Sequence, residues 1–191
     1  MVNIGIFVSG SGTNCENIIR YFARSEVARV TLVVSNRADA YALVRAERLD
    51  VPTAVVPKRD WSEAADMLSL LREHGVDFIV LAGFLLMVPD YLIEAFPRRI
   101  VNIHPSLLPK YGGKGMWGHH IHEAVAKGGD TETGITVHYV NGVCDGGEII
   151  EQVRVELTPG VDTAETIAEK IHVLEQAHFP RIIEQTINAI K

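Results

Sequence analysis

The chain has 191 residues, with 18 Lys and Arg against 24 Asp and Glu and a net charge of −6; this balance argues against a nucleic-acid grip, which needs a basic face. Hydrophobic residues make up 47 % and charged residues 22 %, so there is apolar material for a real core and no compositional case for disorder. The longest apolar run, Phe78 to Val88, is broken by Gly83 and falls short of the roughly 20 residues that span a bilayer, so no membrane segment is expected.

Val2 to Val8 is a short apolar, β-branched run that ends in Ser9-Gly10-Ser11-Gly12-Thr13-Asn14 before the helix-like stretch Glu16 to Arg24. That is strand, glycine loop, helix. The alternation continues with Arg29 to Val34 as strand, Ala38 to Leu49 as helix, Pro52 to Val56 as strand and Asp60 to His74 as helix; Phe78 to Leu81 and Arg99 to His104 read as buried strands. Such β-α-β alternation predicts an α/β fold with a Rossmann-like, mostly parallel sheet and helices on both faces, because parallel strands need crossovers. After Pro105 the pattern changes to a Gly- and aromatic-rich loop, Tyr111 to Gly118, a short helix near His122 to Lys127, and the strands Gly134 to Val140 and Glu148 to Val155. These last strands are expected to be antiparallel or mixed. Val161 to Ile190 reads as one long C-terminal helix that Pro180 kinks or divides. Length favours a single domain over 1–191.

The N-terminus has no Lys or Arg before Arg20, so the basic start of a secretory signal is missing. Two cysteines, Cys15 and Cys144, make no disulfide framework. A reduced, cytoplasmic setting is expected.

Chemistry-bearing residues fall at four places. The loop Ser9 to Asn14 opens a helix after the first strand, where backbone N–H groups attract phosphate or carboxylate. A dinucleotide fingerprint would need Gly or Ala where Cys15 stands, and an acid where the second strand ends in Asn36; a nicotinamide cofactor is therefore disfavoured, and a merely tight turn stays open. Asn102 and His104 sit two apart in Ile100-Val101-Asn102-Ile103-His104-Pro105, on one strand face at its carboxyl end, where open α/β sheets place ligands. The alternative is a hydrogen-bonded core pair. Thr136 and His138 repeat the spacing on a later strand, and Asp145 follows among glycines, able to orient or charge a histidine or simply to make a turn. In the last helix the apolar stripe Ala164, Ala168, Ile171, His178, Ile182 takes in Glu175, a carboxylate on an inward face that needs a donor partner unless it lies at an exposed rim. His119, His120 and His122 have no Cys or carboxylate at ligand spacing, and no metal is expected.

Taken together, Asn102-Ile103-His104-Pro105-Ser106-Leu107-Leu108-Pro109, Leu81-Ala82-Gly83-Phe84 and Asp145-Gly146-Gly147 resemble the folate-dependent formyltransferases, over nearly the whole chain. The resemblance implies transfer of a formyl group from 10-formyltetrahydrofolate to the amine of glycinamide ribonucleotide, in purine biosynthesis. It implies a catalytic trio of Asn102, His104 and Asp145, with Gly12, Thr13 and Asn14 on the ribonucleotide phosphate and Glu175 on the same substrate. It also implies a folate pocket lined by Leu85, Leu86, Met87, Val88, Asn102, Val140, Asn141, Gly142, Val143 and Cys144, largely through backbone groups. Residues 1–100 would then be a phosphate-binding half and 101–191 a catalytic and folate-binding half. The expected partners are these small molecules alone, with no nucleic acid or membrane, in a monomer or homodimer. Two departures from the family pattern stand out: Leu85-Leu86 replace the common Met-Arg, and the stretch Gly112 to Gly118 is longer and lacks a Pro after Tyr111. Direct attack of an amine on the formyl carbon creates an oxyanion that Asn102 and an imidazolium at His104 would stabilise. A sugar-nucleotide N-formyltransferase also joins an anion to an amine; a non-catalytic nucleotide module would not need the trio, and an NADP-linked oxidoreductase would lean on Arg37.

Overall fold

The computed structural model describes residues 1–190. In chain order the elements are β1 (Val2–Val8), α1 (Thr13–Phe22), β2 (Ala28–Ser35), α2 (Tyr41–Glu47), β3 (Thr53–Val55), a 3₁₀ turn (Lys58–Ser62), α3 (Ala64–Glu73), β4 (Phe78–Leu81), α4 (Asp90–Ala95), β5 (Ile100–His104), α5 (His119–Gly128), β6 (Glu132–Tyr139), β7 (Ile149–Glu156) and α6 (Ala164–Ala189). The seven strands form one sheet in the order β3-β2-β1-β4-β5-β6-β7. Pairing is parallel from β3 to β5, and antiparallel from β5 to β6 and β6 to β7. The Rossmann-like, mostly parallel sheet with mixed C-terminal strands is thus the observed architecture.

Strand residues alternate between two apolar layers, as the period of two requires. Ile4, Ile6 and Val8 of β1 join Phe78 and Val80 of β4 in one core with Ile18, Phe22, Phe179 and Ile183 from α1 and α6. Phe7, Ile79 and Leu81 point the other way, into a second core with Trp61, Met67, Leu71 and Leu92 from the 3₁₀ turn, α3 and α4. Strand order reverses at β1, with β2 on one side and β4 on the other. Open α/β sheets bind ligands at such a reversal, beyond the carboxyl ends of the strands.

Three local expectations change. The stretch Asp60 to His74 is not one helix: Glu63, at φ −82 and ψ 82, separates the 3₁₀ turn from α3, and the Trp61 indole N–H, donating to the Val56 carbonyl at 2.7 Å, ties that turn to the end of β3. Helix α4 arises where no helix was expected, after Pro89 at its N-cap. Most informative is α6, which runs unbroken through Pro180 for 26 residues. Proline has no N–H to give the carbonyl four residues back. That carbonyl belongs to Gln176, and the Asn17 side-chain amide of α1 donates to it instead, at 2.8 Å.

This replacement is testable. Asn17→Ala should cost about 1–2 kcal/mol, the scale of an unmet, partly buried carbonyl. In a Pro180→Ala background the restored backbone N–H bonds Gln176, and the same change should cost less than half as much. Urea unfolding of the four proteins measures the coupling; additive losses would refute it.

Candidate functional site

The carboxyl ends of β1, β4 and β5 open into a cleft of about 720 Å³, a size that suits a small organic ligand. One end of the cleft is the loop before α1. Gly12, the N-cap of α1, is left-handed at φ 77, and no side chain caps the helix, so its first N–H groups are free for an anion. A Cβ at Gly12 would meet Ala42 of α2 at 2.4 Å, so only glycine lets the loop lie against that helix. Arg45 of α2 donates to the Ser11 carbonyl at 2.9 Å and pairs with Glu16, and the Ala42 N–H donates to the Gly10 carbonyl at 3.1 Å.

Glu175 of α6 faces this loop. Its carboxylate accepts from the Asn14 amide at 3.0 Å, and the Gln176 amide donates to Asn14 Oδ1 at 3.0 Å, which fixes the Asn14 amide with its N–H toward Glu175. The Glu175 side chain is 16 % exposed, and burial pushes its carboxyl up to about 7 despite the Asn14 bond. The inward carboxylate read from the helical stripe is therefore present, and its protein partner is Asn14.

The other end of the cleft holds the polar residues of β5 and β6. Asn102 pairs opposite His138 and His104 opposite Thr136 across the antiparallel ladder. Asp145 sits at φ 53, a conformation Asp adopts more readily than most residues. Its Oδ2 lies 3.5 Å from His104 Nδ1 and its Oδ1 lies 3.8 Å from His138 Nε2; the Gly113 N–H donates to Oδ2 at 2.9 Å. His104 Nε2 donates to the Tyr111 carbonyl at 2.8 Å. Both imidazole nitrogens of His104 thus have protein partners. The return of the chain after Asp145 needs Gly147, where a Cβ would fall 1.6 Å from the Tyr139 carbonyl oxygen.

Asn102, His104 and Asp145 converge on the cleft wall, as do Gly12, Thr13, Asn14 and Glu175. Leu85, Leu86, Met87, Val88, Val140, Asn141, Val143 and Cys144 line it as well; Gly142 does not, and a Cβ there would point to Asp90 Oδ1, 3.7 Å away. Leu86, at the departure from the Met-Arg pattern, packs on the second core. Thr136 is structural: its hydroxyl donates to the Ser106 carbonyl and accepts from the Leu108 N–H and the Gln152 amide. Neither cysteine is disposed to act as a thiolate. Burial pushes Cys15 up to about 12, while burial and then the Asp145 carboxylate raise Cys144.

Three positioning features were not legible beforehand. Ser9, buried at the end of β1, donates to Asn36 and accepts from the Leu85 N–H at 2.9 Å, holding one rim of the cleft. His122 lines the cleft at 8 % exposure, its Nδ1 without a partner among the described residues; burial, then His119, pushes its pKa down. His138 was visible only as a polar strand residue. No group of three or more His, Cys, Asp or Glu gathers as a metal site among the described residues.

Glu175 makes stability depend on pH. Its folded pKa, near 7, lies above the ordinary value of 4.5, so its stabilising contribution is full below pH 4.5 and is lost as pH rises through 7. Glu175→Gln keeps an acceptor for Asn14 without the charge. The variant should gain on the parent by about 1–3 kcal/mol above pH 7 and converge with it below pH 4.5, each pKa unit being worth about 1.4 kcal/mol. Thermal melts at pH 4.5 and 8 read the difference; equal offsets at both would remove the assignment.

A family model described as formyl transferase matches residues 2–183. The chain is 37 % identical over 193 residues to the chloroplastic phosphoribosylglycinamide formyltransferase of Arabidopsis thaliana, covering 98 % of this chain and 64 % of that protein. It is 35 % identical over 189 residues to the phosphoribosylglycinamide formyltransferase of Haemophilus influenzae, covering 96 % and 86 %. Among solved structures, glycinamide ribonucleotide transformylase 1 from Symbiobacterium toebii matches with a TM-score of 0.89 at 34 % identity, over 99 % of this chain and 89 % of the other. The chain thus spans just under two thirds of the chloroplastic relative and most of the bacterial ones. With sequence and fold in agreement over nearly its whole length, the chain belongs to the formyl transferase family.

Proposed function

We propose that this chain transfers the formyl group of 10-formyltetrahydrofolate to the amine of glycinamide ribonucleotide in purine biosynthesis. The observation that carries the reading is the meeting of Asn102, His104 and Asp145 on one wall of a cleft whose far end is the uncapped start of α1 opposite Glu175. The name shared by the relatives supports the same acceptor. The residues fit both small molecules. The N–H groups at Gly12, Thr13 and Asn14 suit a phosphate dianion, and Glu175 suits ribose hydroxyls or the glycinamide amine. Leu85 to Val88 and Val140 to Cys144, with Asn102, form the apolar side where the folate donor would lie; Gly142 belongs to this segment by its backbone.

Asn102 donates an amide N–H to the formyl oxygen as the attacking amine drives charge onto it. His104 supplies the second donor, gives a proton to the folate nitrogen as its bond to the formyl carbon breaks, and regains one from the attacking nitrogen, so that the imidazole ends as it began. Its Nε2–H is held by the Tyr111 carbonyl, so the substrate oxygen competes with that carbonyl for one hydrogen. Tyr111, at φ 58, begins the glycine-rich stretch 112–118, and a small shift there frees the N–H. Asp145 tunes His104 by orienting its ring through Nδ1. Attack is direct, with no covalent enzyme intermediate. On this reading residues 1–100 hold the phosphate and 101–191 carry catalysis and most folate contacts. The chain works in the cytoplasm on small molecules, as a monomer or homodimer.

The test is a spectrophotometric assay with glycinamide ribonucleotide and 10-formyl-dideazafolate; a folded protein with no turnover would overturn the reading. His104→Ala should lower kcat at least about 10²-fold with little change in either KM. Gly12→Ala should raise KM for the ribonucleotide while calorimetry finds folate-analogue affinity unchanged. Equal loss for both ligands would remove the phosphate assignment.

A further inference from the structure

Asn102 and His138 stand directly opposite each other on β5 and β6, and cross-strand neighbours in such a pair share one face. Asn102 Nδ2 and His138 Nε2 are 3.1 Å apart. The other imidazole nitrogen, Nδ1, lies 2.9 Å from the Tyr139 carbonyl oxygen. A carbonyl only accepts, so Nδ1 carries a proton. His138 is 2 % exposed, and burial, the largest influence on it, pushes its pKa below the ordinary value. A neutral ring protonated at Nδ1 has a bare lone pair at Nε2, which can only accept. The atom of Asn102 opposite must therefore be the amide nitrogen; rotating the amide by half a turn would oppose two acceptors at 3.1 Å.

We propose that His138 is a positioning residue: as the Nδ1–H tautomer it fixes the Asn102 side-chain amide in one of its two orientations and leaves the second Asn102 N–H for a ligand oxygen in the cleft. That second N–H has no protein partner among the described residues, and Asn102 lines the cleft. If His138 gains a proton at Nε2, that N–H needs an acceptor. It then either turns to Asp145 Oδ1, now at 3.8 Å, or forces the amide to present its oxygen. Both break the lock. The titratable groups facing His138 are Asp145 from the β6–β7 loop, which favours the proton, and His104 from β5, which opposes it. On the elements packed against β6, Glu151 of β7 is paired with Arg181 of α6, and Arg154 of β7 with Glu132.

The catalytic consequence rests on the formyl-transfer reading above; the tautomer does not. Nitrogen-15 NMR of the full chain at pH 7.5 should show His138 neutral with Nδ1 protonated and Nε2 bare, in the absence of any substrate. An Nε2–H tautomer, or an imidazolium, overturns the proposal whatever the enzyme's activity. In the assay, His138→Phe removes the acceptor while keeping an aromatic ring, and should lower kcat about 10²-fold with KM for both substrates within about two-fold. His138→Gln, whose carbonyl can accept from Asn102, should recover most of that loss. The acid limb contributed by His138 should vanish from the pH profile in both variants. A His138→Phe protein with the parental melting temperature and parental kcat would also overturn the proposal, while absence of turnover in the parent would overturn only the reaction assignment.

Discussion

Placing polar side chains inside a sheet of Ile, Val, Leu and Phe is costly unless each finds a partner, and that requirement organises this protein. Asn102, His104, Thr136 and His138 lie on the joined faces of β5 and β6, where the register sets them opposite one another in pairs. Asn102 and His138 partner each other, and the remaining partners are the Tyr111 and Tyr139 carbonyls, the Asp145 carboxylate, and the Ser106 and Leu108 backbone. If β6 slipped by one residue, Thr136 and His138 would turn to the other face, away from His104 and Asn102. The antiparallel addition of β6 to a parallel sheet is therefore what assembles the polar end of the cleft.

The far end of the cleft obeys the same rule by different means. Helices α1 and α6 are about 160 residues apart in sequence and are joined side chain by side chain. Asn14 meets Glu175, Asn17 meets the Gln176 carbonyl and Tyr21 meets Glu184. The first of these bonds belongs to the ligand end, the second compensates for Pro180, and the third lies one turn further along α1. A single face of α1 thus carries all three bonds to α6, because residues at i, i+3 and i+7 fall on one side.

Much of this was legible in the sequence. The β-α-β alternation, the shared face of Asn102 and His104, and Glu175 on an apolar stripe follow from the periods of two and 3.6. The family resemblance favoured Asp145 as a partner of a histidine, a role that the glycine-flanked loop alone left open against a plain turn residue. What stayed hidden depended on long-range partners. The continuity of α6 through Pro180 hangs on Asn17, which no local pattern connects to it. Helix α4 is six residues long, too short for its apolar positions to repeat. The break at Glu63 depends on the reach of Trp61 to Val56. Ser9 reads as part of a glycine loop until Leu85 and Asn36 are seen to converge on its hydroxyl, and the orientation of the Asn102 amide needs the Tyr139 carbonyl to define it.

The tether between the α1 loop and α2 bears on the kinetics of capture. Because Ala42 and Arg45 hold Gly10 and Ser11 through their backbone oxygens, the uncapped N–H groups at the start of α1 are already arranged when the chain finishes folding. Ordering a residue costs about 1–2 kcal/mol in conformational entropy, and here that cost is met in folding rather than at each encounter. An anion bound there, as the proposed function has it, would meet a preformed loop, and its rate of capture would be set by diffusion and charge rather than by a search among loop shapes. Selection on that rate would then fall partly on α2, a helix none of whose residues lines the cleft.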